Sequence, residues 1–183
     1  MSVSIPGLEE ADCILLIGYN PAASHPIVAS RIVKARERGA KIIVVDPRVI
    51  ETARIADIHL QIKNGSNLAF LNAMANVIIK EGLHDKEFID AHTEGFDEWL
   101  EVVERYTPEY SAEICGVEAD AIREAARMYA TAETSILGWG MGVTQQRQGV
   151  HTVHAIASLA CVAGQIARPH CGVAPVRGQN NVQ

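Results

Sequence analysis

Cysteine is scarce in this 183-residue chain, and its spacing excludes the metal sites that cysteine usually makes. The four cysteines include no Cys-x-x-Cys pair, so neither a zinc site nor an iron–sulfur cluster is predicted, and no other metal ligands are predicted in this chain. We expect all four cysteines to be buried thiols; they are Cys13, Cys115, Cys161 and Cys171.

Long apolar runs are also missing. No run approaches the roughly 20 residues that a membrane-spanning helix needs. The start, residues 1–6, lacks the basic and apolar regions of a signal peptide. We therefore expect a cytoplasmic protein without a membrane span. The formal net charge of -6 argues against a nucleic-acid partner, because a broad nucleic-acid surface needs many Lys and Arg side chains.

Carboxylate side chains are absent after Glu133. Residues 134–183 contain Arg147, Arg168 and Arg177, and they contain no Asp or Glu. This part of the chain is therefore locally positive, which favours an anionic ligand close to it.

Residues 13–26 are the stretch around which the rest of the chain is organised. The apolar run Cys13–Ile17 predicts a strand buried on both faces, as in a parallel sheet. Gly18 then begins a loop, and Ser24 is predicted to cap a helix in which Pro26 holds an early position. The carboxyl end of such a strand suits a phosphate or another anionic ligand. An ordinary connection between strand and helix fits this stretch equally well.

A second apolar run, Lys41–Val45, ends on Asp46 and completes a right-handed βαβ unit. Asp46 stands where α/β domains often place an acceptor for a ribose or for the edge of a base. A carboxylate can accept two parallel hydrogen bonds from the N1–H and N2–H groups of guanine, a pair that adenine does not have. A surface aspartate that caps the next turn is the alternative, and the residues alone do not decide between them.

Two further polar loops that contain glycine follow predicted strands. The strand predicted at 58–62 precedes the loop 64–67, and the strand predicted at 134–139 precedes the stretch 140–145. This last stretch resembles a dinucleotide fingerprint only superficially, because Gln145 replaces the third glycine and no acidic residue lies downstream. An ordinary NAD enzyme is therefore not expected.

The alternation of strands and helices predicts an α/β fold. We expect a three-layer α/β/α domain with a mainly parallel, Rossmann-like sheet, and a helical cover over residues 85–130. With 48% apolar residues the chain can bury one good core, so residues 1–183 are expected to form a single domain. Residues 167–183 have no periodicity and are expected to be a poorly anchored tail, as though the chain were cut from a longer one.

Seven motifs resemble the molybdopterin oxidoreductase family, and specifically the catalytic α subunit of its molybdenum- or tungsten-dependent formate dehydrogenases. They occur in the family's order over nearly the whole chain, at residues 18–26, 45–48, 54–57, 63–67, 93–96, 139–145 and 175–183. The resemblance implies the fold of formate dehydrogenase/DMSO reductase domains 1 to 3. It also implies a metal held by two molybdopterin guanine dinucleotides.

The same resemblance implies which residues hold this cofactor. One nucleotide arm would lie on Gly18, Asn20, Ser24, His25, Asp46, Arg48, Gly65 and Asn67. The pterin portions would lie against Gly140, Met141, Gly142, Gln145, Gly178 and Gln179. Arg177 corresponds to the family's active-site arginine, whose planar guanidinium would orient formate through two parallel hydrogen bonds.

Several parts of the family's pattern do not appear in the sequence. They are the four-cysteine 4Fe-4S motif, the metal-ligating cysteine or selenocysteine, and the C-terminal cofactor-binding domain. The chain is therefore expected to be an inactive internal segment of a subunit that oxidises formate to CO2. Its partners would be the remaining domains and an electron-transferring iron–sulfur β subunit. The alternatives are a stand-alone nucleotide-binding or interaction module without catalysis, or another molybdopterin oxidoreductase.

Overall fold

The structure, a computed structural model, describes residues 2–176, and these residues contain a sheet of five parallel strands. The strands lie side by side in the order β3-β2-β1-β4-β5. Along the chain they are β1 (Cys13–Ile17), β2 (Lys41–Val45), β3 (Ile58–Leu60), β4 (Ser135–Trp139) and β5 (Gly172–Pro175). The predicted parallel sheet is thus confirmed, and each apolar run predicted to be a strand forms one.

Helices make up most of the remaining chain between residues 2 and 176. They are α1 (Pro21–Ser24), α2 (Pro26–Glu37), α3 (Asn67–Lys80), α4 (Lys86–His92), α5 (Phe96–Val103), α6 (Pro108–Cys115), α7 (Ala119–Thr131), α8 (Met141–Thr144) and α9 (Gly149–Val162). Two 3₁₀ helices, Pro6–Glu10 and Glu51–Ile55, precede β1 and β3. No helix in this described part is long and apolar enough to cross a membrane.

The helical turn after β1 differs from its prediction. Asn20 caps α1, since its Oδ1 accepts a hydrogen bond from the Ala23 N–H at 3.3 Å. Ser24 instead ends α1, and its hydroxyl donates to the carbonyl oxygen of Asn20 at 2.8 Å. The prediction of Ser24 as a cap was wrong because Pro21 is itself a good first-turn residue, so one short helix forms before Pro26 starts α2.

Helices cover both faces of the sheet, which confirms the predicted three layers. Ile14 and Leu16 of β1 pack toward α2, whereas Cys13, Leu15 and Ile17 pack toward α3, α7 and α9. All of β1 is buried, because successive side chains of a strand point to opposite faces and both faces are covered. Helices α4, α5 and α6 extend the second layer as the predicted helical cover.

The prediction of a poorly anchored tail from residue 167 is wrong for β5. Gly172–Pro175 pairs in parallel with the residues 136–139 of β4, and Cys171 and Ala174 are buried. An edge strand needs only alternate buried positions and tolerates proline, so this segment carries no apolar run that a sequence pattern could reveal. Residues 177–183, which the prediction also included, lie outside the described residues.

Asp57 joins the start of β2 to the link that leads into β3. Its Oδ2 accepts a hydrogen bond from the Ile42 N–H at 2.9 Å, and the Lys41 ammonium and Arg36 guanidinium each lie 3.2 Å from its Oδ1. Burial pushes the pKa of Asp57 upward, but the Ile42 N–H and the two cations outweigh it and hold the pKa below its ordinary value. The ionised carboxylate therefore stabilises the fold.

Replacing Asp57 by asparagine should lower the free energy of unfolding by about 1–3 kcal/mol at neutral pH. A lowered pKa in the folded state gives stability that is complete above the unfolded-state pKa, about 4, and is lost as the pH falls through the folded-state pKa. Urea unfolding at neutral pH and at roughly pH 3 measures this, and the difference between the two proteins should shrink at the lower pH. Asp90→Asn, on the exposed side of α4, is the control. An equal difference at both pH values would contradict the assigned role.

Candidate functional site

The loops that follow four of the strands meet at one end of the sheet. Because the strands are parallel, their carboxyl ends lie along the same edge. There the loops after β1, β2, β3 and β4 surround a cavity of about 200 Å³, hereafter the first cavity. It is lined by Gly18, Asn20, Asp46, Pro47, Arg48, Ile62, Lys63, Asn64, Gly65, Asn67, Gly142 and Gln146.

This cavity adjoins the point where the strand order reverses. The chain leaves β1 toward β2 through α2 on one face, and it leaves β4 toward β5 through α9 on the other face. The two loops therefore diverge and leave a crevice between β1 and β4. Ligands of α/β proteins bind at such reversal points, outside the carboxyl ends of the strands.

Two glycines bring the loops after β1 and β4 into direct backbone contact. The Gly142 N–H donates to the Gly18 carbonyl oxygen at 3.1 Å. A Cβ atom on Gly142 would lie 2.6 Å from that oxygen, and one on Gly18 would lie 2.7 Å from the carbonyl carbon of Gly142. Gly18 also has a φ of +55°, a conformation that favours glycine. The close approach of these loops therefore requires glycine at both positions.

Asp46 follows β2 and lies in the wall of the first cavity. Its side chain is 7% exposed, and its Oδ1 accepts a hydrogen bond from the Arg48 N–H at 2.9 Å. The Arg48 guanidinium lies 3.7 Å from the same oxygen and is itself largely exposed. Among residues 2–176 nothing donates a hydrogen bond to Oδ2, so this oxygen and one lone pair of Oδ1 are available to a ligand.

The loop after β3 forms the opposite wall. The Ser66 hydroxyl donates to the carbonyl oxygen of Lys63 at 2.6 Å, which closes the loop into a tight turn. The Asn67 side-chain amide lies 3.5 Å from the carbonyl oxygen of Gly142, so this loop also reaches the loop after β4. Three of the four strand-end loops are thereby joined across the crevice, through Gly18, Gly142 and Asn67.

A second hollow, of about 300 Å³, lies beside the first cavity. Both share Gly18, Asn20 and Arg48, and the second hollow continues along Tyr19, Ala23, Ser24, His25, Gly140, Met141 and Val176. The Asn20 amide nitrogen donates to Glu51 Oε2 at 3.2 Å, and this bond, after the backbone N–H of Glu51 itself, keeps the pKa of Glu51 below its ordinary value. Asn20 is thus fixed between the two spaces.

The structure brings together most of the residues that the sequence singled out. Those lining the first cavity or the second hollow are Gly18, Asn20, Ser24, His25, Asp46, Arg48, Gly65, Asn67, Gly140, Met141 and Gly142. Gln145 is exposed and lines neither space, and the neighbouring Gln146 lines the first cavity instead. Arg177, Gly178 and Gln179 lie outside the described residues.

Three polar residues of the first cavity were not predicted from the sequence, namely Lys63, Asn64 and Gln146. Lys63 and Asn64 stand in one of the seven motifs, so the signal was present although no role was assigned to them. Chemically, the cavity offers one buried carboxylate that accepts hydrogen bonds and two cations, Arg48 and Lys63, that can bind an anion. Within residues 2–176 no three His, Cys, Asp or Glu side chains are grouped as a metal ion would require.

Comparison with known proteins gives consistent matches along the whole chain. The family model described as molybdopterin oxidoreductase matches residues 1–182. Formate dehydrogenase H of Escherichia coli (strain K12) is 57% identical over 183 residues, which is 100% of this chain and 26% of that protein. The F420-dependent formate dehydrogenase subunit alpha of Methanocaldococcus jannaschii is 52% identical over 100% of this chain and 27% of its own length.

A solved structure agrees with these matches. Acetylene hydratase from Pelobacter acetylenicus superimposes with a TM-score of 0.82 at 32% identity, covering 89% of this chain and 24% of its own. The chain spans about a quarter of the length of the relatives that it matches. With one family model along its length, the same fold in a solved structure and glycine-bearing loops gathered at the sheet reversal, the chain belongs to the molybdopterin oxidoreductase family.

Proposed function

We propose that this chain is the cofactor-binding segment of a formate dehydrogenase α subunit, and that the longer protein oxidises formate to CO2. One observation carries the proposal: the loops after β1, β2, β3 and β4 form a single cavity around Asp46, in a chain whose matched relatives include formate dehydrogenases. The activity belongs to the longer protein, and the segment alone is expected to be inactive.

The residues of the first cavity fit a guanine nucleotide. The free oxygen lone pairs of Asp46 can accept hydrogen bonds from the N1–H and N2–H groups of guanine. Gly18 and Gly142 line the cavity with backbone atoms alone, and Arg48 supplies a planar cation for phosphate oxygens. This donor set supports the guanine dinucleotide form of the cofactor rather than a form without a nucleotide.

The second hollow supports a place for the pterin portion of the same ligand. It shares Gly18, Asn20 and Arg48 with the first cavity, and it is lined by the predicted contacts Gly140 and Met141. Val176 also lines it. A ligand that spans both spaces would therefore extend from Asp46 to Met141 and Val176.

When bound, the molybdopterin centre supplies the two-electron chemistry that converts formate to CO2, a proton and two electrons. The residues of this chain hold and orient the cofactor by backbone contact, by hydrogen bonds to its base and by charge pairing with its phosphates. Four features stay predictions from the resemblance and the sequence. They are the identity of the metal as molybdenum or tungsten, the 4Fe-4S cluster of the longer protein, its β subunit, and a cytoplasmic location.

Arg177 is proposed to anchor the carboxylate of formate. Replacing it by lysine in the longer protein should lower kcat/KM for formate roughly ten- to a hundredfold, because one charge-assisted hydrogen bond of the pair is lost. Steady-state kinetics measure this, together with the content of bound cofactor, which should not change. Unchanged turnover in a fully loaded variant would remove Arg177 from this role. A loaded longer protein that does not oxidise formate would point to another member of the family.

Isothermal titration calorimetry of the 183-residue chain with GDP, ADP and NAD tests the nucleotide assignment. GDP should bind at least roughly tenfold more tightly than ADP, because only guanine forms the two parallel hydrogen bonds with Asp46. A preference for ADP or NAD would favour the alternative, a stand-alone nucleotide-binding module, and would count against the proposal.

A further inference from the structure

Helix α6 belongs to the helical cover, yet its last turn contacts the loop 63–66, whose Lys63 and Gly65 line the first cavity. The backbone N–H of Lys63 donates to the carbonyl oxygen of Cys115 at 2.7 Å. The Cys115 thiol in turn lies 3.6 Å from the carbonyl oxygen of Ser66. Two contacts, one on each side of the loop, therefore join the loop 63–66 to a helix about 50 residues later in the chain.

The side chain of Lys63 lies across the end of the same helix. Gly116 follows α6 with a φ of +73°, and a Cβ atom there would lie 2.7 Å from Lys63 Cε and 3.2 Å from Lys63 Cγ. The Lys63 ammonium donates to the carbonyl oxygen of Glu113, in the last turn of α6, at 3.2 Å. The missing side chain at Gly116 thus provides the groove in which the aliphatic part of Lys63 lies.

Lys63 differs in its partners from Lys41 and Lys80. Lys41 pairs with Asp57 at 3.2 Å and Lys80 pairs with Glu104 at 2.8 Å, whereas no carboxylate of residues 2–176 lies within ion-pair distance of Lys63. An ammonium has three N–H donors, and the Glu113 carbonyl uses one. Two donors therefore remain on Lys63, which lines the same cavity as Arg48. Lys63 is therefore left without a carboxylate partner in this described part of the chain.

We propose that Lys63 binds the diphosphate of the nucleotide in the first cavity, and that the C-terminal turn of α6, through Gly116 and the Glu113 carbonyl, positions its ammonium. The proposal rests on the nucleotide site described above and adds to it a binding residue and a positioning element. Lys63 touches the ligand, whereas Gly116 acts through Lys63. The helical cover then contributes to the affinity of the site as well as to the core.

Three variants of the 183-residue chain separate charge from packing. Lys63→Met keeps an unbranched apolar side chain over Gly116 and removes the ammonium. Gly116→Ala adds the methyl group that displaces the Lys63 side chain. Gly82→Ala is the matched control, because Gly82 has a similar φ of +68° and no atom within 4 Å of an added Cβ. Circular dichroism melting should show the same loss of stability from backbone strain in Gly116→Ala and in Gly82→Ala. Any further loss in Gly116→Ala comes from the displaced Lys63 side chain.

The readout is calorimetric affinity for GDP, guanosine and inorganic pyrophosphate. Lys63→Met should weaken the binding of GDP and of pyrophosphate roughly tenfold or more and leave the affinity for guanosine unchanged. Gly116→Ala should weaken the binding of the same two ligands by a smaller factor, and Gly82→Ala should leave the affinity for every ligand unchanged. Lys63→Arg should keep part of the pyrophosphate affinity.

The outcomes distinguish this proposal from the proposed function. Equal GDP and pyrophosphate affinity in the original chain and in Lys63→Met would overturn the role of Lys63 while the guanine preference stands. Pyrophosphate binding that depends on Lys63 without any preference for guanine would support the phosphate site and overturn the guanine assignment. No binding of either ligand to the original chain would overturn both.

Discussion

Replacing Gly142 by alanine should separate the loops after β1 and β4 and weaken GDP binding at least roughly tenfold. The added methyl group would lie 2.6 Å from the carbonyl oxygen and 2.8 Å from the Cα atom of Gly18, distances that Cβ atoms essentially never adopt. Both neighbours are backbone atoms at the end of a fully buried strand, so they cannot rotate away as a side chain would. The loops must therefore move apart.

The structural cost extends beyond the two glycines. Moving the loop after β4 would stretch the hydrogen bond from the Gly142 N–H to Gly18 and the contact from the Asn67 amide to the Gly142 carbonyl. Overpacking of this kind costs about 1–3 kcal/mol of folding free energy. The first cavity would open at the reversal point, and Asp46 and Gly18 would no longer face the ligand together. Thermal melting and GDP calorimetry measure the two effects.

Two other glycines calibrate this prediction. A Cβ atom on Gly140 would lie 3.0 Å from the Tyr19 ring and 3.1 Å from the Gly18 oxygen, so Gly140→Ala should have a smaller effect of the same kind. Gly39 lies at the other end of the sheet with open space around it, and Gly39→Ala should cost only backbone strain and leave GDP binding intact. Wild-type melting and binding in Gly142→Ala would mean that the loop contact does not form the site.

The sheet and the position of the site were predictable because they depend on local patterns. Continuous apolar runs such as Cys13–Ile17 indicate strands buried on both faces, and parallel strands place the loops that follow them at one edge. Gly18 and Asp46 directly follow their strands and Gly142 lies three residues after β4, so their convergence follows from the topology without any knowledge of side-chain contacts. The reversal of strand order between β1 and β4 adds the crevice.

What could not be predicted depends on contacts between distant residues or on the phase of a short turn. Lys63 is held by the end of α6, and nothing in the sequence near Lys63 indicates that contact. Gln145 and Gln146 differ by one position in the turn after α8, and only the turn geometry decides that Gln146 reaches the cavity. β5 pairs through its backbone at the sheet edge, where a short segment without an apolar run suffices.

Replacing Asp46 by asparagine should remove the preference for guanine and create one for xanthine. The amide keeps the size of the carboxylate, and its oxygen can still accept the hydrogen bond from the Arg48 N–H, so the fold should be retained. Its nitrogen, however, donates, and it would meet the N2–H donor of guanine. GDP should therefore bind roughly tenfold or more weakly to Asp46→Asn, since one of two parallel hydrogen bonds becomes a repulsive contact between donors.

Xanthosine diphosphate reverses this pairing, because a carbonyl oxygen replaces the 2-amino group of guanine. It should bind Asp46→Asn more tightly than it binds the original chain, and inosine diphosphate, which has no group at this position, should bind both chains similarly weakly. Calorimetry with the three diphosphates measures the exchange of preference, and pyrophosphate affinity, which depends on Lys63 and Arg48 rather than on the base, should not change. A uniform loss of affinity for all three nucleotides would mean that Asp46 shapes the cavity wall without reading the base. Equal GDP affinity in both chains would mean that its free Oδ2 faces no part of the ligand.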